Sequence, residues 1–201
     1  MSATETTQAA LEIFRQHGIL CTSEALALGI HPRTLYALRD AGALERLARG
    51  LYRLAELPPL AHPDLVTVAL KIPGGVICLV SALAFHELTT QIPHAVDVAV
   101  QQGSQRPRLE YPPLRVFRFS GVAWTEGVET VVLDGVPVRI TNPAKSVADS
   151  FKYRRKLGLD LALEALKAYR EHVTFDVTTL LHYARICRVE EVLKPYLEAL
   201  L

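Results

Sequence analysis

Arginine is concentrated in one short stretch of the sequence. Between Gly29 and Leu54 there are five arginines and no lysine, set against Asp40 and Glu45. Residues 1–28 instead contain three glutamates and one arginine. Guanidinium groups pair with phosphate oxygens and can bind guanine O6 and N7 in a bidentate manner. The stretch therefore predicts a local nucleic-acid-binding face on a chain whose formal net charge is only +1.

The later sequence offers few residues arranged for catalysis. Asp97 is followed by Val-Ala-Val-Gln-Gln, which lacks the second acid and the lysine that a metal-dependent nuclease needs. His86 and Glu87 are adjacent, but no second histidine completes a zinc-protease motif. His182 and Cys187 fall on a helical pattern that favours packing. The sequence therefore predicts no catalytic residue, no metal site and no cofactor.

The arginine-rich stretch lies within a predicted order of three helices and a hairpin. Thr22 or Ser23 is expected to cap the second helix, Gly29 to form a turn, and Pro32 to begin the third helix. The predicted helices are 4–17, 22–28 and 32–41, and the predicted hairpin is 44–54, turning near residues 49–50. This order is typical of a winged helix-turn-helix domain, whose second motif helix enters the major groove.

The faces of the third helix follow from its period. Leu35 and Leu38 are three residues apart and are expected to face the core, which places Arg33 and Tyr36 on the opposite side and Thr34 and Arg39 on the flanks. Arg33, in the first turn, is the predicted base reader, and Arg39 is better placed for a phosphate. The predicted DNA-contacting residues are Thr22, Ser23, Arg33, Thr34, Tyr36, Arg39, Arg46, Arg49, Tyr52 and Arg53.

A proline-rich segment separates this domain from the rest of the chain. The predicted fold class is α+β, with a winged helix-turn-helix domain at 1–56, a linker at 57–63, and a mixed α+β domain at 64–201 that ends in several helices. Alternating apolar residues and an Asp134-Gly135 turn predict the strands of the second domain. They are 76–79, 96–100, 114–119, 130–133 and 136–141. The predicted helices are 64–71, 81–88, 143–153, 159–170, 177–187 and 189–201.

Two basic clusters occur in the second domain. Their residues either form a second nucleic-acid surface or, for those near the end of the helix that Pro143 begins, are solvated cations that suit a helix carboxy terminus. The residues assigned to this second basic surface are Arg106, Arg108, Arg115, Arg118, Lys145, Lys152, Arg154 and Arg155.

Composition limits the class of protein. Half of the residues are apolar, and the three cysteines are scattered without a CxxC pair, which argues against a disulfide framework and favours a reducing compartment. The first residues lack the basic and apolar regions of a signal peptide, and no apolar run is long enough to span a bilayer. A cytoplasmic protein that does not bind membranes is expected.

Three stretches resemble a known family. The stretch GILCTSEALALGIHPRTLYALRDAGALERLARGLYRL resembles the winged-helix domain of the AbiEi family, antitoxins of type IV abortive-infection toxin–antitoxin systems in phage defence. VICLVSALAFHELT and DGVPVRITNPAKSVADSF resemble later segments of the same family. The resemblance covers about residues 8–155.

The resemblance implies a transcriptional autorepressor that binds inverted repeats in its own promoter, as a dimer or by pairing on DNA. It further implies that the second domain counteracts a nucleotidyltransferase-like toxin, without implying a stable complex. Two alternatives stay open. One is a nuclease that the winged helix targets to nucleic acid, and the other is a plain transcriptional regulator with a sensor domain.

Overall fold

The computed structural model describes residues 3–201, which divide between Pro63 and Asp64 into two compact units. We call them the amino-terminal unit and the carboxy-terminal unit. The first two residues of the predicted domain 1–56 lie outside the described residues. The α+β class predicted from the sequence is confirmed, with a winged-helix arrangement followed by a mixed α+β unit.

The amino-terminal unit combines three helices with a three-stranded antiparallel sheet in the order β1-β3-β2. Its elements are α1 (Ala3–His17), β1 (Ile19–Cys21), α2 (Thr22–Ala27), α3 (Pro32–Asp40), β2 (Leu44–Ala48) and β3 (Leu51–Leu54). Apolar residues at helical spacing explain the core, since Ala10 and Phe14 of α1 are buried against Leu35 and Leu38 of α3. The short helices are therefore stabilised by packing and not by their length.

The carboxy-terminal unit contains a five-stranded mixed sheet and eight helices within the described residues. The helices are α4 (Pro63–Lys71), α5 (Leu79–Phe85), α6 (Val122–Thr125), α7 (Pro143–Lys152), α8 (Arg154–Leu157), α9 (Leu159–Glu171), α10 (Val177–Cys187) and α11 (Glu190–Glu198). The strands are β4 (Val76–Ile77), β5 (Val96–Gln101), β6 (Leu114–Phe119), β7 (Val128–Leu133) and β8 (Val136–Thr141). The sheet order is β6-β5-β4-β8-β7, in which the β5–β6 and β4–β8 pairs are parallel.

Helix α7 is the central helix of this unit. Pro143 occupies its first turn, and the Asn142 side chain caps it by accepting the Lys145 N–H at 2.9 Å. Residues 144–151 are all buried, because the helix packs against α5, α9, α10 and α11. A basic side chain on a helix that is buried on every side must find a partner inside the protein, because an unpaired buried charge is costly.

Three short elements and several boundaries differ from the predictions. The strand β1 and the four-residue helices α6 and α8 were not predicted. The strand predicted at 76–79 ends at Ile77, and α5 begins at Leu79 where a helix from residue 81 was expected. The cause is a tertiary contact, because the Asp97 carboxylate on β5 accepts the Val80 N–H at 3.0 Å and holds the first turn of α5. No helix within residues 3–201 is both long and apolar enough to cross a bilayer.

Candidate nucleic-acid interface

Helix α3 occupies the position of the recognition helix. Gly29, with a φ of +88°, makes the turn before it, and Ile30 is buried. His31 is its N-cap and Pro32 stands in the first turn. Leu35 is fully buried, so the helix is anchored along one side as its period predicted. Its other side is therefore open to solvent.

The exposed side of α3 carries the residues that the sequence assigned to it. Arg33 and Tyr36 are exposed, and Thr34 and Arg39 are partly exposed. Arg39 is held by Asp40, with Nη2 at 2.7 Å from Oδ1, and its guanidinium lies 5.0 Å from the Tyr36 ring centroid. The Arg33 guanidinium has no ion pair with any residue from 3 to 201. Arg33 is thus the freer of the two cations to reach a ligand.

The wing is the hairpin of β2 and β3. Arg46 and Arg49 are exposed, and Gly50 turns the chain with a φ of +69°. The register shifts between Arg46 and Ala48, and Arg46 Nε donates to the Ala48 carbonyl at 3.3 Å. Both arginines lie in the same unit as α3, so the unit carries cations on its wing as well as on its helix.

Two predicted wing contacts are buried. Tyr52 is 4% exposed and Arg53 is 3% exposed, so the expectation that their side chains face DNA is wrong for this structure. Tyr52 lies in the apolar cluster that contains Phe14 and Leu35, and Arg53 is covered by the segment after β3, whose carbonyls accept its N–H groups. In addition, β1 pairs with β3 on the side opposite β2 and makes β3 a central strand. The Ile-Leu-Cys segment at 19–21 is too short to show the alternation that predicts a strand.

Arg53 has a structural task instead. Its Nη2 donates to the carbonyls of Leu57 and Pro58, each at 2.6 Å, and its Nε lies 3.4 Å from Glu45 Oε2. These bonds tie the segment after β3 to the wing sheet. A buried arginine of this kind stabilises the domain and offers no charge to a ligand.

Thr22 and Ser23 lie in the first turn of α2. The prediction that one of them is the N-cap is wrong, because Cys21 occupies that position. The Cys21 backbone N–H donates to the Glu24 carboxylate at 2.7 Å. Backbone hydrogen bonding lowers the pKa of Glu24, so this carboxylate stays ionised at the helix start. Thr22 is partly exposed and Ser23 exposed, and their contact with DNA stays a prediction.

Lys145 does not belong to a basic surface. It is fully buried, with Nζ 2.6 Å from Asp149 Oδ2 and 4.8 Å from the Phe119 ring centroid. Cys187 Sγ donates to the other Asp149 oxygen at 3.1 Å. The expectation for Lys145 is corrected, because α7 is surrounded by other helices and the lysine is neutralised one turn along the same helix.

The remaining residues of the second basic surface lie in separate places. Arg106 and Arg108 are exposed and line an open cleft with Lys71. Lys152 lines a different cleft together with Arg188. Arg155 is exposed. Arg118 donates to the Ser104 carbonyl at 2.8 Å, and Arg154 donates to the Phe151 carbonyl at the same distance.

Arg115 is committed to Asp97, the residue considered for metal-dependent cleavage. The pair is bidentate, with Nε–Oδ1 at 2.5 Å and Nη2–Oδ2 at 2.8 Å, and Asp97 is fully buried. Burial raises the pKa of Asp97, and the hydrogen bonds and charge of Arg115 oppose that rise. The Asp97 carboxylate therefore binds Arg115 and the backbone of the first turn of α5. This geometry is unlike that of a carboxylate open to a metal ion.

The other candidate catalytic groups are also structural. His86 Nε2 lies 2.8 Å from the Thr141 carbonyl, and burial lowers the pKa of this histidine. Burial raises the pKa of the Cys187 thiol to about 12, which keeps it protonated. Within residues 3–201, no three His, Cys, Asp or Glu side chains are grouped as a metal ion would require.

Comparison with known proteins agrees with this geometry. The family model described as a transcriptional regulator, AbiEi antitoxin, matches residues 8–55. Among solved structures, the chain is similar to the RV2827C protein from Mycobacterium tuberculosis, at 11% identity and a TM-score of 0.55, over 98% of this chain and 82% of that one. That likeness concerns the fold alone, and no curated protein matches the sequence. The matched segment runs from α1 through β3, so the amino-terminal unit is similar to the AbiEi antitoxin transcriptional regulators.

Proposed function

We propose that the protein is a DNA-binding antitoxin of a type IV toxin–antitoxin system that acts in the cytoplasm and represses its own promoter. The observation that carries the proposal is the exposed side of α3, where Arg33 has no ion pair within the described residues, in the same unit as the wing arginines Arg46 and Arg49. The family model that matches residues 8–55 supports the same conclusion. Because that model describes an antitoxin, the proposal extends from DNA binding to toxin control.

The residues of the interface divide by role. Arg33, in the first turn of the recognition helix, reads a guanine edge, and a bidentate pair of this type is worth roughly 1–3 kcal/mol of discrimination. Arg39, held by Asp40, contacts a phosphate, as do Arg46 and Arg49 of the wing. Thr22, Ser23, Thr34 and Tyr36 complete the interface.

The operator is an inverted repeat of double-stranded DNA that takes two copies of the chain. A two-fold operator matches a two-fold arrangement of protein, whether the copies meet in solution or pair on DNA. The exposed cations of the second basic surface, apart from the buried Lys145 and the Asp97-bound Arg115, add contacts that do not depend on sequence.

Gel-shift titration against the promoter duplex and a scrambled duplex tests the DNA-binding part. Arg33→Ala should weaken the preference for the promoter, whereas Arg49→Ala should weaken binding to both duplexes and reduce the slope of log affinity against log salt by about 0.9. Arg15→Ala is the charge-matched control, because Arg15 of α1 is paired with Glu12 of the same helix and with Glu56 after β3. If Arg33→Ala and Arg49→Ala both bind like the wild type, as Arg15→Ala should, the assigned interface is refuted.

The antitoxin part concerns the carboxy-terminal unit and a nucleotidyltransferase-like toxin encoded beside it. Co-expression of the two genes should restore the growth that the toxin alone arrests, and a chain cut back to the amino-terminal unit should not restore it. The proposal is also that the protein is not an enzyme. Incubation of the purified chain with DNA or RNA and Mg²⁺ or Mn²⁺ should give no turnover; cleavage that Asp97→Asn abolishes would establish the nuclease alternative instead.

A further inference from the structure

Arg115 has a second donor edge that the fold does not use. Its Nε and Nη2 bind the two oxygens of Asp97, which is fully buried. The remaining N–H groups of the guanidinium, both on Nη1 and one on Nη2, have no partner among residues 3–201. The Arg115 side chain is 46% exposed. The buried carboxylate therefore orients an arginine whose outer edge, formed by Nη1 and Nη2, is available to a ligand.

This arginine lines a cleft of about 200 Å³ within the carboxy-terminal unit. Lys156 of α8 lines the same cleft, is exposed, and has no ion pair with any described residue. The cleft also contains two buried apolar side chains, Val80 of α5 and Leu161 of α9. The cleft thus combines an apolar floor with two cationic groups.

One edge of the cleft is the segment of residues 91–95 between α5 and β5. The start of this segment is fixed to α9, because the Glu164 carboxylate accepts the Thr90 N–H at 2.6 Å. The Ile92 side chain in this segment is 83% exposed. Covering an apolar side chain of this kind with the apolar part of a ligand is favourable, because it removes the side chain from water.

The charges around the cleft favour one kind of anion. Arg115 and Lys156 are positive and Asp97 is negative, so with histidine counted as neutral the site has a net charge of +1. A carboxylate balances this charge, whereas a phosphate monoester carries about −1.5 to −2 near neutral pH. The two N–H groups on one edge of a guanidinium match the two oxygens of a carboxylate. Pockets for drug-sized ligands measure roughly 300–1,000 Å³, so this cleft suits a smaller molecule.

We propose that this cleft is a binding site for a small organic monocarboxylate. The carboxylate accepts hydrogen bonds from Nη1 and Nη2 of Arg115 and from Nζ of Lys156. The short apolar chain of the ligand packs on Val80 and Leu161 and covers Ile92. The site does not depend on DNA binding by the amino-terminal unit, and it gives the carboxy-terminal unit a ligand in addition to the toxin that it is proposed to counteract.

NMR titration of the full chain with isovalerate, a branched short-chain carboxylate, tests the site. Isovalerate should shift the amide resonances of residues 91–95 and 156–161 with a dissociation constant in the millimolar range or below. The neutral isovaleramide should not shift them. Acetate should bind about tenfold more weakly, because it lacks the apolar chain. Binding of inorganic phosphate as tight as that of isovalerate would overturn the assignment to a monocarboxylate.

Substitutions at the cationic groups separate the site from general attraction of anions. Lys156→Ala should weaken isovalerate binding about tenfold. Arg115→Lys keeps a positive charge beside Asp97 but has no second donor edge, so it should abolish the resonance shifts. Lys167→Ala is the charge-matched control, because Lys167 is exposed on α9 and does not line the cleft. It should bind isovalerate like the wild type.

Ile92→Ser tests the apolar part of the site without disturbing the core. It should weaken the binding of isovalerate, leave the binding of acetate unchanged, and leave the thermal unfolding temperature at the wild-type value. The proposal is overturned if isovalerate at tens of millimolar shifts none of these resonances. It is equally overturned if Lys156→Ala and Ile92→Ser, folded as judged by thermal unfolding, both bind isovalerate like the wild type.

Discussion

Replacing Arg115 with alanine would leave Asp97 as a buried carboxylate without its counter-charge. The carboxylate would keep the Val80 N–H and lose both bonds to the guanidinium. Removing one partner of a buried pair typically costs about 3–5 kcal/mol. Arg115 is 46% exposed at its side chain, so water already screens part of the attraction. We therefore expect the free energy of unfolding to fall by about 2–3 kcal/mol near neutral pH.

The loss should depend on pH in a defined direction. Burial raises the folded-state pKa of Asp97, and removing Arg115 removes the effects that oppose the rise, so the pKa rises further. A raised folded-state pKa means that the folded protein holds the proton more tightly than the unfolded chain. The favourable contribution of Asp97 to the free energy of unfolding is then present at low pH and is lost as the pH rises through the folded-state pKa. The variant should consequently approach the wild type near pH 4 and diverge from it toward pH 7.

Urea denaturation of both proteins at about pH 4 and about pH 7 measures this difference. Arg118→Ala is the matched control, because Arg118 is on the same strand, is exposed, and bonds only a carbonyl among the described residues. Its effect should be small and equal at both pH values. An Arg115→Ala loss of the same size at both pH values would refute the reasoning, since it would mean that Arg115 acts by packing.

Two of the corrected residues, Arg53 and Lys145, give further predictions. Arg53→Met should lower stability by about 2–3 kcal/mol, because it leaves the Leu57 and Pro58 carbonyls without their donor. The folded fraction of this variant should bind the promoter duplex with wild-type affinity. A weaker affinity of the folded protein would contradict the structural role and show that Arg53 contributes to DNA binding. Asp149→Ala should cost about 3–5 kcal/mol in urea denaturation, since it strands the Lys145 charge. The double variant Lys145→Met/Asp149→Leu should recover most of that loss, and a double variant as unstable as Asp149→Ala would contradict the electrostatic explanation.

The helix-period argument worked for α3 because the information is local. Leu35 and Leu38 are both buried, and Arg33 and Tyr36 are exposed as predicted from the spacing alone. The wing could not be resolved in the same way. Whether Tyr52 faces solvent depends on the helices that cover the sheet, since Tyr52 lies in one apolar cluster with Phe14 of α1 and Leu35 of α3. Local alternation predicts the existence of a strand but not which of its faces is covered.

Lys145 shows the same limit in the carboxy-terminal unit. A count of basic residues treats every lysine near a helix end as surface charge, yet α7 is covered on all sides and Lys145 is buried with it. The sequence did contain a clue, because Lys145 and Asp149 are four residues apart and Ala144, Val147 and Ala148 are apolar. The pair spacing indicates an ion pair, and the apolar neighbours indicate burial. Charge therefore locates a nucleic-acid surface only after buried pairs such as Lys145–Asp149 are set aside. The proposed interface is based on Arg33, Arg39 and the two wing arginines because their side chains are exposed or partly exposed.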